Sequence, residues 1–196
     1  LGGTLKELKP TRRNLKRIIV ECLKTSDWNQ AFRRIQRLPL RTTINVLLAH
    51  ITHPNNRIKS RAATAIGILT AQLADQDMES ARIIVRRLIW NLTEESGNCI
   101  WGAPETIGEI LANHPQLAQE YCNILISFII PDGNYLEYEP QQLSAVIGIR
   151  RLAQDYPDLM RDAIPYLTAL LNSDDKNIKN AAEEALLLIK TGITSP

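Results

Sequence analysis

Apolar residues along the chain recur three and four positions apart, and the runs come in pairs. "LRTTINVLLAHI", "ESARIIVRRLIWNL", "QLAQEYCNILISFI" and "DLMRDAIPYLTALL" are each followed by a second amphipathic run: "IKSRAATAIGIL", "CIWGAPETIGEIL", "EPQQLSAVIGIRRL" and "NIKNAAEEALLLI". Such spacing places the apolar residues on one face of a helix. Clusters such as His53-Pro54-Asn55-Asn56, His114-Pro115, Pro131-Asp132-Gly133-Asn134, Tyr156-Pro157 and Ser173-Asp174-Asp175 separate the runs. The second runs share a register anchored at Gly67, Gly108, Gly148 and Leu187, at intervals of 41, 40 and 39 residues. A helical hairpin of this kind cannot bury its apolar face alone and must stack on its neighbours. A further pair at the front, about Arg12 to Lys24 and Asp27 to Arg37, has the look of a capping unit with a basic outer face. The pattern predicts an all-α, right-handed α-α superhelix of about four to five hairpins. It forms one domain over 1–196, with capping helices in 1–39 and four repeats of about 40 residues in 40–190.

Composition agrees. Aromatics make up 5% of the chain against 44% hydrophobic residues in all, so the core must be aliphatic, as in packed helices. The longest nearly apolar run, Ile124 to Ile130, falls far short of the roughly 20 residues of a membrane span, so no membrane association is expected. Leu1-Gly2-Gly3-Thr4 carries no signal-peptide pattern. Cys22, Cys99 and Cys122 form no CxxC pair and are odd in number, which points to a reducing compartment, the cytoplasm by default. Charge is lopsided: residues 1–90 hold 17 Lys and Arg against 6 Asp and Glu, a net +11, whereas 91–196 hold 6 against 15, a net −9. An anionic partner for the first half, head-to-tail self-association, or a drift of surface sign along the stack would each produce it.

Ala63-Thr64-Ala65-Ile66-Gly67 after Arg57-Ile58-Lys59-Ser60-Arg61, and Asp174-Asp175-Lys176-Asn177-Ile178, resemble HEAT-like repeats of the prokaryotic phycobilin-lyase type, over about residues 40 to 190. The resemblance implies a solenoid whose second helices line a concave face, in most cases a binding scaffold and in a few an enzyme. More narrowly, Glu95-Ser96-Gly97, Trp101-Gly102-Ala103-Pro104-Glu105 and Asn134-Tyr135-Leu136-Glu137 resemble a family of uncharacterised prokaryotic HEAT-like proteins. The chain departs from that pattern at Asn98-Cys99, where the family is glycine-rich.

Candidate chemistry concentrates in two irregular turns. In "EESGNCIWGAPE", Trp101 and Glu105 lie four apart, opposite the core stripe of their helix, where the solenoid would present its groove. Glu94 and Glu95 sit near the positive end of that helix. Pro104 cannot occupy a helix interior without breaking it, so the helix should start late or kink. In "PDGNYLEYEP" about four extra residues bring Tyr135, Glu137 and Tyr138 towards the same patch. Arg150 takes a slot filled by Leu69, Ile110 and Ile189 elsewhere; a buried guanidinium there would need Glu105 or Glu109, and a one-residue slip of register would leave it exposed. His50 and His53 lie three apart without a third ligand, so no metal is assigned, and no cofactor or catalytic residue is assigned either.

These residues favour a non-enzymatic scaffold binding a protein or peptide on its concave face. The alternative is a DNA-binding, DNA-glycosylase-like or bilin-lyase-like HEAT enzyme, with nucleic acid reaching the basic N-terminal half. The oligomeric state is not specified by the sequence.

Overall fold

A computed structural model describes residues 11–93 and 101–194. Among the described residues the regular structure is helical: α1 (Arg12–Lys24), α2 (Trp28–Gln36), α3 (Leu40–Leu47), α4 (Asn56–Gln76), α5 (Met78–Thr93), α6 (Ala103–Ala112), α7 (Pro115–Ser127), α8 (Glu139–Asp155), α9 (Ile164–Leu170) and α10 (Lys176–Thr194). Tighter 3-10 turns at Leu48–His50 and Pro157–Ala163 extend α3 and precede α9.

The breaker clusters act as caps. Asp27 accepts a hydrogen bond from the Gln30 amide at 3.0 Å, Asn55 accepts from Ile58 and Asp175 from Asn177, each satisfying an amide that the first turn leaves unbonded. α6 begins at Ala103 behind Gly102, so Pro104 sits in the first turn, where no intrahelical donor is required of it. The helix starts late and needs no kink.

Consecutive helices pair as antiparallel hairpins, and the second helices, α4, α6, α8 and α10, stack on one another in sequence order. Their crossings explain the repeat anchor. A Cβ on Gly108 would lie 2.4 Å from the Gly148 Cα, and one on Gly148 would lie 2.6 Å from the Pro104 carbonyl oxygen. Backbones that close leave room for hydrogen alone, which is why glycine recurs at that register. At the last repeat the same slot holds Leu187, 65% exposed.

In α4, α6 and α10 the buried stripe follows the expected register: Ile58/Ala62/Ala65/Ile66/Leu69, Ala103/Thr106/Ile107/Ile110 and Ile178/Ala182/Ala185/Leu186/Ile189. The first slot of that repeat, aligned with Ile58 and Ile178, is Cys99, which precedes α6 and lies outside the described residues. In α8 the stripe slips by one residue: its last four slots are Gln142/Ala145/Val146/Ile149, all buried, while the first falls on the exposed Tyr138. Ile149 therefore fills the core slot expected for Arg150, and Leu143, Ile147 and Arg150 turn out of the core.

Side-chain ties connect the hairpins. Arg61 of α4 donates to the Leu23 and Thr25 carbonyls at 2.9 and 2.6 Å, and its guanidinium lies 5.0 Å from the Trp28 ring. Arg82 of α5 grips Glu120 of α7 with two hydrogen bonds, 2.8 and 2.6 Å, and that grip holds the Glu120 carboxyl down to about 2.

Candidate functional site

The early turns of α4, α6, α8 and α10 come together along a groove formed by two adjoining hollows of about 270 and 310 Å³. Asn56, Leu143, Ile147 and Arg150 line both, so the two are one continuous surface crossing four repeats. The slip of register in α8 is what supplies its apolar floor, Leu143 and Ile147.

Glu105 occupies the third position of α6, at the positive end of the helix, where a carboxylate is favoured. Its backbone N–H donates to Ser144 Oγ at 3.0 Å, and its Oε2 lies 3.5 Å from Lys59 Nζ. It lines the groove but is only 5% exposed, because close packing of α4 and α8 on either side covers it. Oε2 accepts no hydrogen bond within the protein, leaving Lys59 as its electrostatic partner.

One turn further along α6, Glu109 accepts from Thr64 Oγ1 at 2.8 Å and from Arg151 Nε at 3.2 Å. Burial pulls the Arg151 guanidinium down, but Asp155 and Glu109 together outweigh it and hold the group above its ordinary value. The expected partner of Glu109 was Arg150. That residue is half-buried at the groove edge and pairs with Glu184 of α10 instead, because the one-residue slip hands the inward position to its neighbour. Lys59, Arg150 and Arg151 thus each face a carboxylate. What the groove has to offer a ligand is the apolar floor and the amides of Asn56, Asn177 and Asn180.

The two irregular turns converge. Trp101 immediately precedes the Gly102 cap of α6, is 40% exposed, and meets Tyr138 edge-to-face with ring centroids 6.2 Å apart and planes at 61°. A Cβ on Gly102 would stand 2.2 Å from the Ile51 carbonyl oxygen, so glycine is what lets this segment pass against the end of the first full hairpin. Tyr138 caps α8 and is 47% exposed. Tyr135, also exposed, accepts a hydrogen bond from Gln142 Nε2 at 2.6 Å through its phenol oxygen, and Glu137 is exposed between the two tyrosines. Glu94 and Glu95 lie outside the described residues, as does Cys99.

Sequence reasoning missed Lys59, Arg151 and the apolar floor. A signal was present: Glu105 and Glu109 stand four apart in the otherwise nearly apolar "APETIGEILA" and call for cations on the flanking helices.

Other reactive groups are engaged locally. Burial pushes the Cys22 and Cys122 thiols up, away from the thiolate. His50 Nδ1 lies 3.0 Å from the Val46 carbonyl oxygen, and His53 Nδ1 accepts from the Asn55 amide at 3.0 Å. Among the described residues no three His, Cys, Asp or Glu converge as a metal-binding group, and no helix is long and apolar enough to cross a membrane.

No protein-family model matches the chain. An uncharacterized protein of Archaeoglobus fulgidus is 28% identical over 136 residues, covering 69% of this chain and 66% of that protein, just under two thirds of its length. Among solved structures, a designed armadillo repeat protein aligns over 96% of this chain and 95% of its own, with a TM-score of 0.51 and 17% identity. An engineered protein aligns over 94% and 88%, with a TM-score of 0.52 and again 17% identity. At that identity the likeness establishes the fold alone, an armadillo-like stack of helical hairpins.

Proposed function

We propose that this chain is a non-enzymatic scaffold that binds an extended peptide segment along the groove of its second helices, with an apolar peptide side chain seated on Trp101 and Tyr138. The observation that carries the proposal is the meeting of those two rings, both partly exposed, at the N-terminal ends of two helices that wall the groove. Covering the exposed part of the indole is worth on the order of 2 kcal/mol, the scale of an interface hot spot. The Asn56, Asn177 and Asn180 amides suit the donors and acceptors of a peptide backbone. Groove cations that are already paired give a DNA backbone little to gain, which weighs against the glycosylase-like alternative. The two described thiols, buried and unpaired, support a reducing, cytoplasmic setting.

The test is selection of short peptides by display on the full chain, followed by anisotropy titration of the winners against Trp101→Ala and Tyr138→Ala proteins of unchanged helicity. Loss of affinity by about 30-fold in the Trp101 variant is expected. Affinities unmoved by both substitutions would remove the reading.

A further inference from the structure

The stretch of chain that carries the aromatic pair has no cations of its own. From Leu88 to Ile149, 62 consecutive residues contain no Lys or Arg, where the overall 23 in 196 would place about seven, yet they hold eight Asp and Glu. Glu105, Glu109 and Glu120 are matched by Lys59, Arg151 and Arg82, each from outside the stretch. Asp132, Glu137 and Glu139 are exposed and enter no ion pair among the described residues. Glu137 and Glu139 flank Tyr138 in the chain, and Glu139 opens α8, so the partly exposed rings of Trp101 and Tyr138 stand in an uncompensated negative field. Four residues beyond Trp101, Glu105 Oε2 is buried without a hydrogen-bond donor; lining the groove, that carboxylate offers a ligand N–H an acceptor and a ligand carboxylate nothing. Positive charge gathers instead on the first helices, where Arg12, Lys16, Arg41 and Arg87 line a cleft between α1, α3 and α5. Aromatic faces beside free carboxylates are complementary to a cation: the ring quadrupole attracts an ammonium or guanidinium, and the carboxylates pair with it. An acidic segment is repelled by both.

We propose that the peptide segment seated at Trp101 and Tyr138 is basic, with Lys or Arg beside its apolar anchor facing Asp132, Glu137 and Glu139. The assignment rests on the peptide reading above and adds the partner's charge to it. Exposed rim carboxylates act on the rate of encounter and on its salt dependence, while the rings hold the anchor.

Selection from a displayed library of random peptides on the full chain, followed by anisotropy titration of the winners at several salt concentrations, tests the inference. Peptides weakened by Trp101→Ala should carry more Lys and Arg than Asp and Glu, placed beside an apolar residue, and should bind less tightly as salt rises. Glu137→Gln/Glu139→Gln should weaken them by about tenfold at low salt. A synthetic copy of the same peptide with Gln in place of its Lys and Arg should be insensitive to that double variant. Asp158→Asn/Asp162→Asn, also exposed but on the turn before α9, should move the affinity far less. Trp101-dependent peptides that are neutral or acidic overturn the inference and leave the peptide reading standing. So does an affinity unmoved by Glu137→Gln/Glu139→Gln, or an equal loss from Asp158→Asn/Asp162→Asn, which means diffuse charge. Failure to select any peptide that depends on Trp101 or Tyr138 overturns the peptide reading and this inference together.

Discussion

Replacing Gly108 by alanine tests the packing that defines the repeat. The new Cβ would stand 2.4 Å from the Gly148 Cα and from its carbonyl oxygen, where ordinary contact begins at 3.4 Å. The shortfall is about 1 Å, and both sides are backbone, so no side chain can swing aside. Overpacking of this sort costs about 1 to 3 kcal/mol, and rigid walls place it near the upper end. Alanine in a helix interior returns about 1 kcal/mol over glycine. The net is about 2 kcal/mol of destabilisation, a fall of about 1 M in the urea midpoint followed by circular dichroism. The sign decides the matter. If helix propensity governed and the crossing could relax, the variant would be stabilised by up to about 1 kcal/mol, and that result would refute the close-crossing explanation of the glycine register.

Three further outcomes are expected. Because its folded carboxyl is held down to about 2 against an ordinary 4.5, Glu120 contributes stability that is present above about pH 4.5 and lost as pH falls towards 2. The pair is partly solvated, so the contribution is about 1 kcal/mol, and acid unfolding curves of Arg82→Ala should lack that increment; superimposable curves would contradict it. Lys59→Met leaves the Glu105 carboxylate buried without a cation and should cost about 3 kcal/mol in urea titration, with at least half recovered in the Lys59→Met/Glu105→Gln double variant. Additive costs would show that the two do not interact. Arg61→Ala removes two carbonyl contacts and the stacking on Trp28, so amide exchange should accelerate in α1 and α2 while α6 and α8 keep their protection. Unchanged protection in α1 would show that the first hairpin is held by its apolar contacts alone.

Most of the fold was legible in the sequence because its cause is periodic. The 3.6-residue stripe gave the helices, the breaker clusters became caps, and the glycines spaced about 40 residues apart turned out to be backbone crossings. Pro104 announced a late helix start, and α6 begins one residue before it. What misled was counting through an insertion. The extra residues between α7 and α8 hide a one-residue slip, and because adjacent helix positions differ by about 100°, one residue exchanges core for groove. Arg150 was placed in the core by that count, where Ile149 stands, and Arg151 takes the contact with Glu109. Glu105 was legible as a residue on the groove side, but its burial was not, since that depends on how tightly glycine lets α8 approach. The meeting of Trp101 with Tyr138 could be anticipated from repeat order alone, whereas the basic cleft could not. Its residues come from α1, α3 and α5, and no spacing along the chain joins them.

The three tryptophans make one measurement decisive for the peptide groove. Trp28 stacks on Phe32 with ring centroids 5.4 Å apart, Trp90 stands on the outer ridge of α5, and Trp101 meets Tyr138 at the N-terminal ends of α6 and α8. In protein labelled with 5-fluorotryptophan, each residue gives a 19F resonance assignable by a single Trp→Phe substitution. Titration with a display-selected peptide should shift or broaden the Trp101 resonance and leave those of Trp28 and Trp90 in place. A peptide that binds while the Trp101 resonance stays still would contradict the assignment of the groove.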